Sequence, residues 1–181
     1  MNWYKTAQQE LQEYDTLMEQ QSPVQITGTG QSEFLQIPGG SSIQAGVLMQ
    51  AVRAQLVSIL QQKGVHTIDT SPISNPNAQG LAISHEPGII HVDVRKVFDM
   101  AKRSLPPTSQ LDAVVADPDI IQSIVAEITS WIQGELLETI SHESQHVGDY
   151  YGAYQSGRPF TSVQEHPAEQ FGQHTRQQFS Q

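Results

Sequence analysis

Apolar residues recur along this chain in two rhythms: a helical one over most of its length and a strand-like one in a short central stretch. Residues 2–20 set Trp3, Ala7, Leu11, Tyr14 and Met18 at steps of three and four, which predicts an amphipathic helix covering the domain from outside. From Gln21 to Gly40 the chain is rich in Gly, Ser and Pro with little periodicity, and reads as a long connection. Between Ser42 and Gln62, the residues Val47, Leu48, Ala51, Val52, Leu56, Ile59 and Leu60 form a broad apolar helical face, with Gly64 as its stop. The period then changes. Val65–Ile68, Leu81–Ile83 and Ile89–Asp93 are short β-prone runs, separated by the polar stretch Ser71–Gly80 and the turn His85-Glu86-Pro87-Gly88.

Helical spacing returns over Val94–Leu105 through Val97, Phe98 and Ala101, until Pro106-Pro107 breaks it ahead of a short helix from Ser109 to Ala116. Asp117-Pro118, a capping carboxylate before a first-turn proline, opens the next helix. Its apolar side runs from Ile121, Ile124, Val125, Ile128, Trp131 and Ile132 through Leu136, Leu137 and Ile140 to Val147, Tyr151 and Tyr154. Gly134 either divides it or lies inside it, and Gly157-Arg158-Pro159 ends it. Pro167 opens a last helix carrying Phe171, and the Gln-rich tail 173–181 frays. The expectation is one α+β, helix-rich domain over 1–181, with about three strands packed on the long late helix; an all-helical domain with one hairpin is the nearest alternative.

Composition narrows the function classes. A chain of 181 residues can bury one core without staples. Its formal net charge of -10, with only 9 Lys and Arg, excludes a phosphate-binding surface, so neither nucleic acid nor an anionic membrane is an expected partner. With no cysteine, disulfides and thiolate metal sites are excluded, and a metal would have to be held by His and carboxylate. The polar N-terminus has no apolar leader core, and no stretch approaches the ~18 apolar residues of a membrane span. The expected location is cytoplasmic, or secreted if a leader has been removed.

The chemistry concentrates in His142-Glu143-Ser144-Gln145-His146, an H-E-x-x-H run late in the long helix. Histidines four apart share one helical face and can both reach a Zn2+ ion, leaving room for one more protein ligand and a water. Glu143 points about 100° away from that face, so it suits proton transfer with the water better than ligation. Elsewhere Gly28, Gly30, Gly39 and Gly40 lack the strand-to-helix setting of a phosphate loop, and no G-x-S-x-G elbow is present.

Over residues 136–172 the sequence resembles the zincin metallopeptidases, and among them the gluzincin group. That resemblance implies a zincin-like fold, a peptide or protein substrate, Zn2+ as cofactor, and a third ligand supplied by a glutamate on a following helix. Glu165-His166-Pro167-Ala168 and Glu169-Gln170-Phe171-Gly172 both fit the closing pattern of a glutamate followed at three residues by a small one. A helix opening at Pro167 favours Glu169, giving His142, His146 and Glu169 as metal ligands with Glu143 as catalytic base. The spacing Ser162-x-x-Glu165 suits an earlier start and keeps Glu165 open. The three-histidine variant is excluded, since Asp149 and Gly152 stand where it needs glycine and histidine. Asp149 then reads as a supporting residue of the helix surface. Tyr150, Tyr151 and Tyr154 lie close enough in sequence to line a cleft, and Ile89–Val92 is a candidate edge for aligning an extended peptide. The alternative function is a catalytically silent zincin-like module for protein binding or assembly.

Overall fold

Short strands with one or two inward apolar residues apiece, and helices with a single buried stripe, build the domain. The computed structural model describes residues 24–37, 40–104, 118–155 and 165–179. The helices expected over 2–20 and 109–116 lie outside these residues. In chain order the elements are β1 (Gln25–Thr27), a 3-10 turn (Thr29–Ser32), β2 (Phe34–Gln36), β3 (Ser42–Gln44), α1 (Ala45–Gln62), β4 (Thr67–Asp69), β5 (Gly80–Ala82), β6 (Ile89–Val92), α2 (Val94–Ser104), α3 (Pro118–Gln155) and α4 (Glu165–Phe179).

Four strands form a mixed sheet in the order β1-β4-β6-β5. The β1–β4 and β4–β6 pairs are parallel, and β5 closes one edge antiparallel to β6. The register aligns Ile26 with Ile68, Ile68 with Ile90, and Ala82 with Ile90, so one face carries the apolar side chains and meets the helices. Ile68, Ile90 and Val92 are fully buried. The expected strands exist, but the stretch read as a connection contributes two more. It supplies β1, and also β2, which pairs with β3 as a separate hairpin matching Leu35 to Ile43. β3 also takes the first residues of the helix expected from Ser42, and α1 starts at Ala45.

α1 buries Leu48, Met49, Val52, Leu56 and Leu60, a narrower stripe than expected, with Val47 left 65% exposed. Each fully buried aliphatic side chain stabilises by about 1.5–3 kcal/mol, and Leu56→Ala would cost about 2–5 kcal/mol through the cavity it leaves. The helix stops where expected: Gly64, at φ 78°, turns the chain back so that Val65 N–H donates to Leu60 O at 2.8 Å. α3 is one helix of 38 residues and passes through Gly134 without a break. Its residues Ile132, Leu136, Leu137 and Ile140 enter the same core as Phe98 of α2 and the sheet. α4 runs back along α3 and stays helical through Phe179, past the point at Gln173 where fraying was expected. Among the described residues, no helix is long and apolar enough to cross a membrane.

Candidate metal centre

The core-facing stripe of α3 fixes the rotation of everything beyond it. Leu136, Leu137 and Ile140 are buried, which leaves His142, Glu143 and His146 at the rim, where the helix emerges beside β5 and α4. One helical turn separates the histidines, whose rings meet edge to face at 4.7 Å and 84°. Their Nε2 atoms face each other at 3.0 Å. His146 is buried and His142 is partly open.

α4 brings the third group, and it is Glu165. Its Oε2 lies 3.4 Å from His142 Nε2 and 3.5 Å from His146 Nε2. The structure therefore departs from the expectation of Glu169, whose carboxylate lies instead by His166, 3.9 Å from Nδ1 on an exposed face. The physical reason is the start of the helix. α4 begins at Glu165, so Pro167 is its third residue rather than its first. The first four N–H groups of a helix have no intrahelical partner, so a proline anywhere in that turn sacrifices no bond and does not fix the start. His166 and Gln170 pair with each other at 3.0 Å on the exposed side.

The geometry fits a tetrahedral ion. Ligands about 2.0–2.1 Å from Zn2+ stand about 3.3 Å apart along each tetrahedral edge, and the three donor separations are 3.0, 3.4 and 3.5 Å. Two imidazoles and a carboxylate are also the donor chemistry that such an ion takes. The protonation state agrees: burial first, and the neighbouring His142 second, lower the His146 pKa and keep that ring neutral. Among the described residues, this trio is the one group of three His, Asp or Glu side chains whose ligand atoms converge closely enough for a metal.

Glu143 turns from the histidine face toward the sheet. It is 8% exposed, and its pKa is raised to about 7, chiefly by burial and further by the Glu165 charge, against the lowering effect of the Ala82 backbone amide. β5 comes so close that Gly80 has no room for a side chain: a Cβ there would lie 2.6 Å from Thr139 Cγ2 and 2.8 Å from Glu143 Cγ. A cleft of about 430 Å3 runs between residues 77–80 and the α3 face from Glu135 to Glu143, with Glu165 at its end. The edge strand beside it is β5. β6, the expected peptide-aligning edge, is interior between β4 and β5. Of the tyrosines, Tyr150 stands in the field of the site, its pKa raised by burial and then by the charges of Glu143, Glu165 and Asp149. Asp149 accepts a hydrogen bond from Gln145 at 3.0 Å, in keeping with a supporting role.

Residues far from the motif hold α4 in place. Gly172 packs so closely on α3 that a Cβ would meet Glu138 O at 2.8 Å, and Ala168 and Thr175 extend this small-residue stripe. Arg176 lies over Gly134 and donates to both Glu135 and Glu138, the latter at 2.9 Å. Sequence reasoning missed Gly80, Thr139 and Arg176, whose partners lie some 40 or more residues away; the one signal was a glycine breaking two otherwise helical patterns, at Gly134 and Gly172. No family model, curated protein or solved structure matches the chain.

Proposed function

We propose that this protein is a zinc-dependent metallopeptidase of gluzincin-like arrangement, with His142 Nε2, His146 Nε2 and Glu165 Oε2 holding the ion. The observation that carries the reading is the convergence of these three atoms within 3.5 Å of one another, with a buried carboxylate on the next residue of the same helix. Zn2+ in such a site supplies a Lewis acid and brings the pKa of a water toward neutrality. Glu143 is the proton carrier: burial raises its pKa to about 7 in the metal-free protein, and beside a bound dication, which favours the ionised form, it would be the carboxylate that accepts a proton and returns it. Glu165 and the two histidines leave Glu143 free for that role, because it projects from a different side of α3. Tyr150 is kept protonated by burial and by the charges of Glu143, Glu165 and Asp149 around it. An extended peptide would lie along β5, with the 77–80 segment and α3 as the cleft walls.

The test is to titrate the purified protein with Zn2+ against a chromophoric chelator, and to follow cleavage of a fluorogenic casein. One ion per chain and measurable cleavage are expected, with Glu143→Gln retaining the ion while cleavage falls by roughly 10²–10⁴-fold. Tight zinc binding with no cleavage by the wild type would turn the reading to a binding module built on the same site. Absence of zinc binding would refute both.

A further inference from the structure

The wall of the cleft opposite α3 is a loop with no hydrophobic anchor. Residues 70–79 join β4 to β5, and beyond Thr70, which is buried and donates to Thr27 O at 2.6 Å, none of their side chains is buried. Pro72 and Pro76 stiffen the segment, and the Asn75 carboxamide accepts the Asn77 amide at 3.0 Å, but these contacts are local and do not say where the loop sits. What ties it to the domain is the start of α2. Lys96 Nζ donates to three loop carbonyls: Ile73 O at 3.1 Å, Ala78 O at 2.7 Å, and Asn75 O. An ammonium has three N–H donors, so the whole of its hydrogen-bonding capacity is committed to this one segment. Asp93, 3.6 Å from the ammonium and nearly buried, grips both ends of the same loop: its carboxylate accepts Ile73 N–H at 3.0 Å and its own amide donates to Gln79 O at 2.8 Å.

We propose that Lys96 is a positioning residue for the cleft: its ammonium gathers the 73–78 carbonyls and so sets the wall formed by Asn77, Ala78 and Gln79 and the approach of Gly80 to Glu143. The inference that this wall positions a peptide rests on the metallopeptidase reading; the pinning of the loop does not. Lys96 does not line the cleft and touches neither the histidines nor Glu165. Its effect passes through the backbone. The loop leads directly into Gly80, whose backbone lies so close to Thr139 and Glu143 that a Cβ would not fit, so a shift of the loop changes the packing against the base. A charged donor shared among three neutral carbonyls is also stronger than three ordinary hydrogen bonds, which is why one side chain can replace the missing apolar anchor.

The experiment is Lys96→Met in the full chain, read by hydrogen exchange on peptides spanning 72–82, with α1 peptides as internal control, by zinc competition, and by casein cleavage. Exchange over 73–80 should rise at least about tenfold with α1 unchanged. Zinc affinity should stay within about threefold, and KM should rise more than kcat falls. Lys96→Arg keeps the charge and most of the stem, but its planar fork cannot aim at three carbonyls around one point, so it should give an intermediate rise; it decides the matter should the methionine variant fail to fold. Exchange over 73–80 as slow as wild type in either variant overturns the proposal, and so does an equal rise in α1. A wild type that binds zinc but leaves casein intact would count against the peptidase reading, while the exchange result still decides the role of Lys96.

Discussion

Burying Glu143 should make the metal-free protein less stable as pH rises, and Glu143→Gln should remove that dependence. In an unfolded chain the carboxyl ionises near 4.5; in the fold its pKa is raised to about 7, mainly by burial and secondarily by Glu165. Below about 4.5 the group is protonated in both states and pH has no effect through it. Between 4.5 and 7 the unfolded chain releases the proton while the folded chain keeps it, so stability falls as pH rises. Above about 7 both states are ionised and the full cost is present, about 3 kcal/mol for that separation of pKa values.

Glutamine is neutral throughout and can still accept the Ala82 amide. The variant should therefore match the wild type near pH 4 and exceed it by about 3 kcal/mol at pH 8, or roughly 6–12 °C in Tm for a chain of this size. The assay is urea or thermal denaturation of both proteins in excess chelator at several pH values from 4 to 8. Saturating zinc should shrink the difference at pH 8, because a dication beside Glu143 favours its ionised form. A gap that stays constant with pH, or a wild type more stable than the variant at pH 8, would refute the account of the burial.

Glu165→Ala should lower zinc affinity by at least about 100-fold, more than the loss typical of a supporting residue, and Glu169→Ala should leave it within a few-fold under the same competition assay. Gly80→Ala forces a methyl against Thr139 and Glu143, and should cost about 1–3 kcal/mol in denaturant unfolding, with part of that loss recovered by adding Thr139→Ser. Arg176→Met removes the cation between Glu135 and Glu138 and should destabilise the domain by about 1–2 kcal/mol, with a measurable fall in zinc affinity because α4 carries Glu165.

The parts of the fold that repeat a rhythm were legible, and the parts that depend on one residue were not. α1 and α3 each contain enough turns for an apolar stripe to stand out, and His142, Glu143 and His146 share a spacing whose chemistry can be read from one helical turn. β1, β2 and β3 are three residues long with a single inward side chain apiece (Ile26, Leu35 and Ile43), and such a segment has no period to detect. Which of Glu165 and Glu169 lies beside the histidines was hidden for a different reason. Proline is compatible with several positions of a first turn, so Pro167 marked the presence of a helix start without marking its residue. Nothing in the sequence singles out Lys96 or Arg176; only the fold brings three carbonyls to one and two carboxylates to the other.

These two cations give the site its construction. The histidines and Glu143 belong to α3, whose apolar stripe locks it into the core. The other two components, Glu165 on α4 and the β5 wall, arrive on segments with little apolar burial of their own: α4 buries only Ala168, Gly172 and Thr175, and none of residues 71–80 is fully buried. Small residues let α4 approach α3 closely but do not fix its position along the helix; Arg176, bridging to Glu135 and Glu138, does. Lys96 performs the same task for the opposite wall with backbone carbonyls in place of carboxylates. In both cases charged hydrogen bonds to a well-anchored element, α3 for Arg176 and α2 for the loop held by Lys96, take the place of hydrophobic packing. With these restraints, both β5 and α4 approach α3 closely enough that a Cβ would not fit at Gly80 or Gly172. Glu165 is thus set beside the histidines by contacts of the protein with itself, so under the proposed function an incoming ion would meet donors already spaced for it and would not have to order α4 on binding.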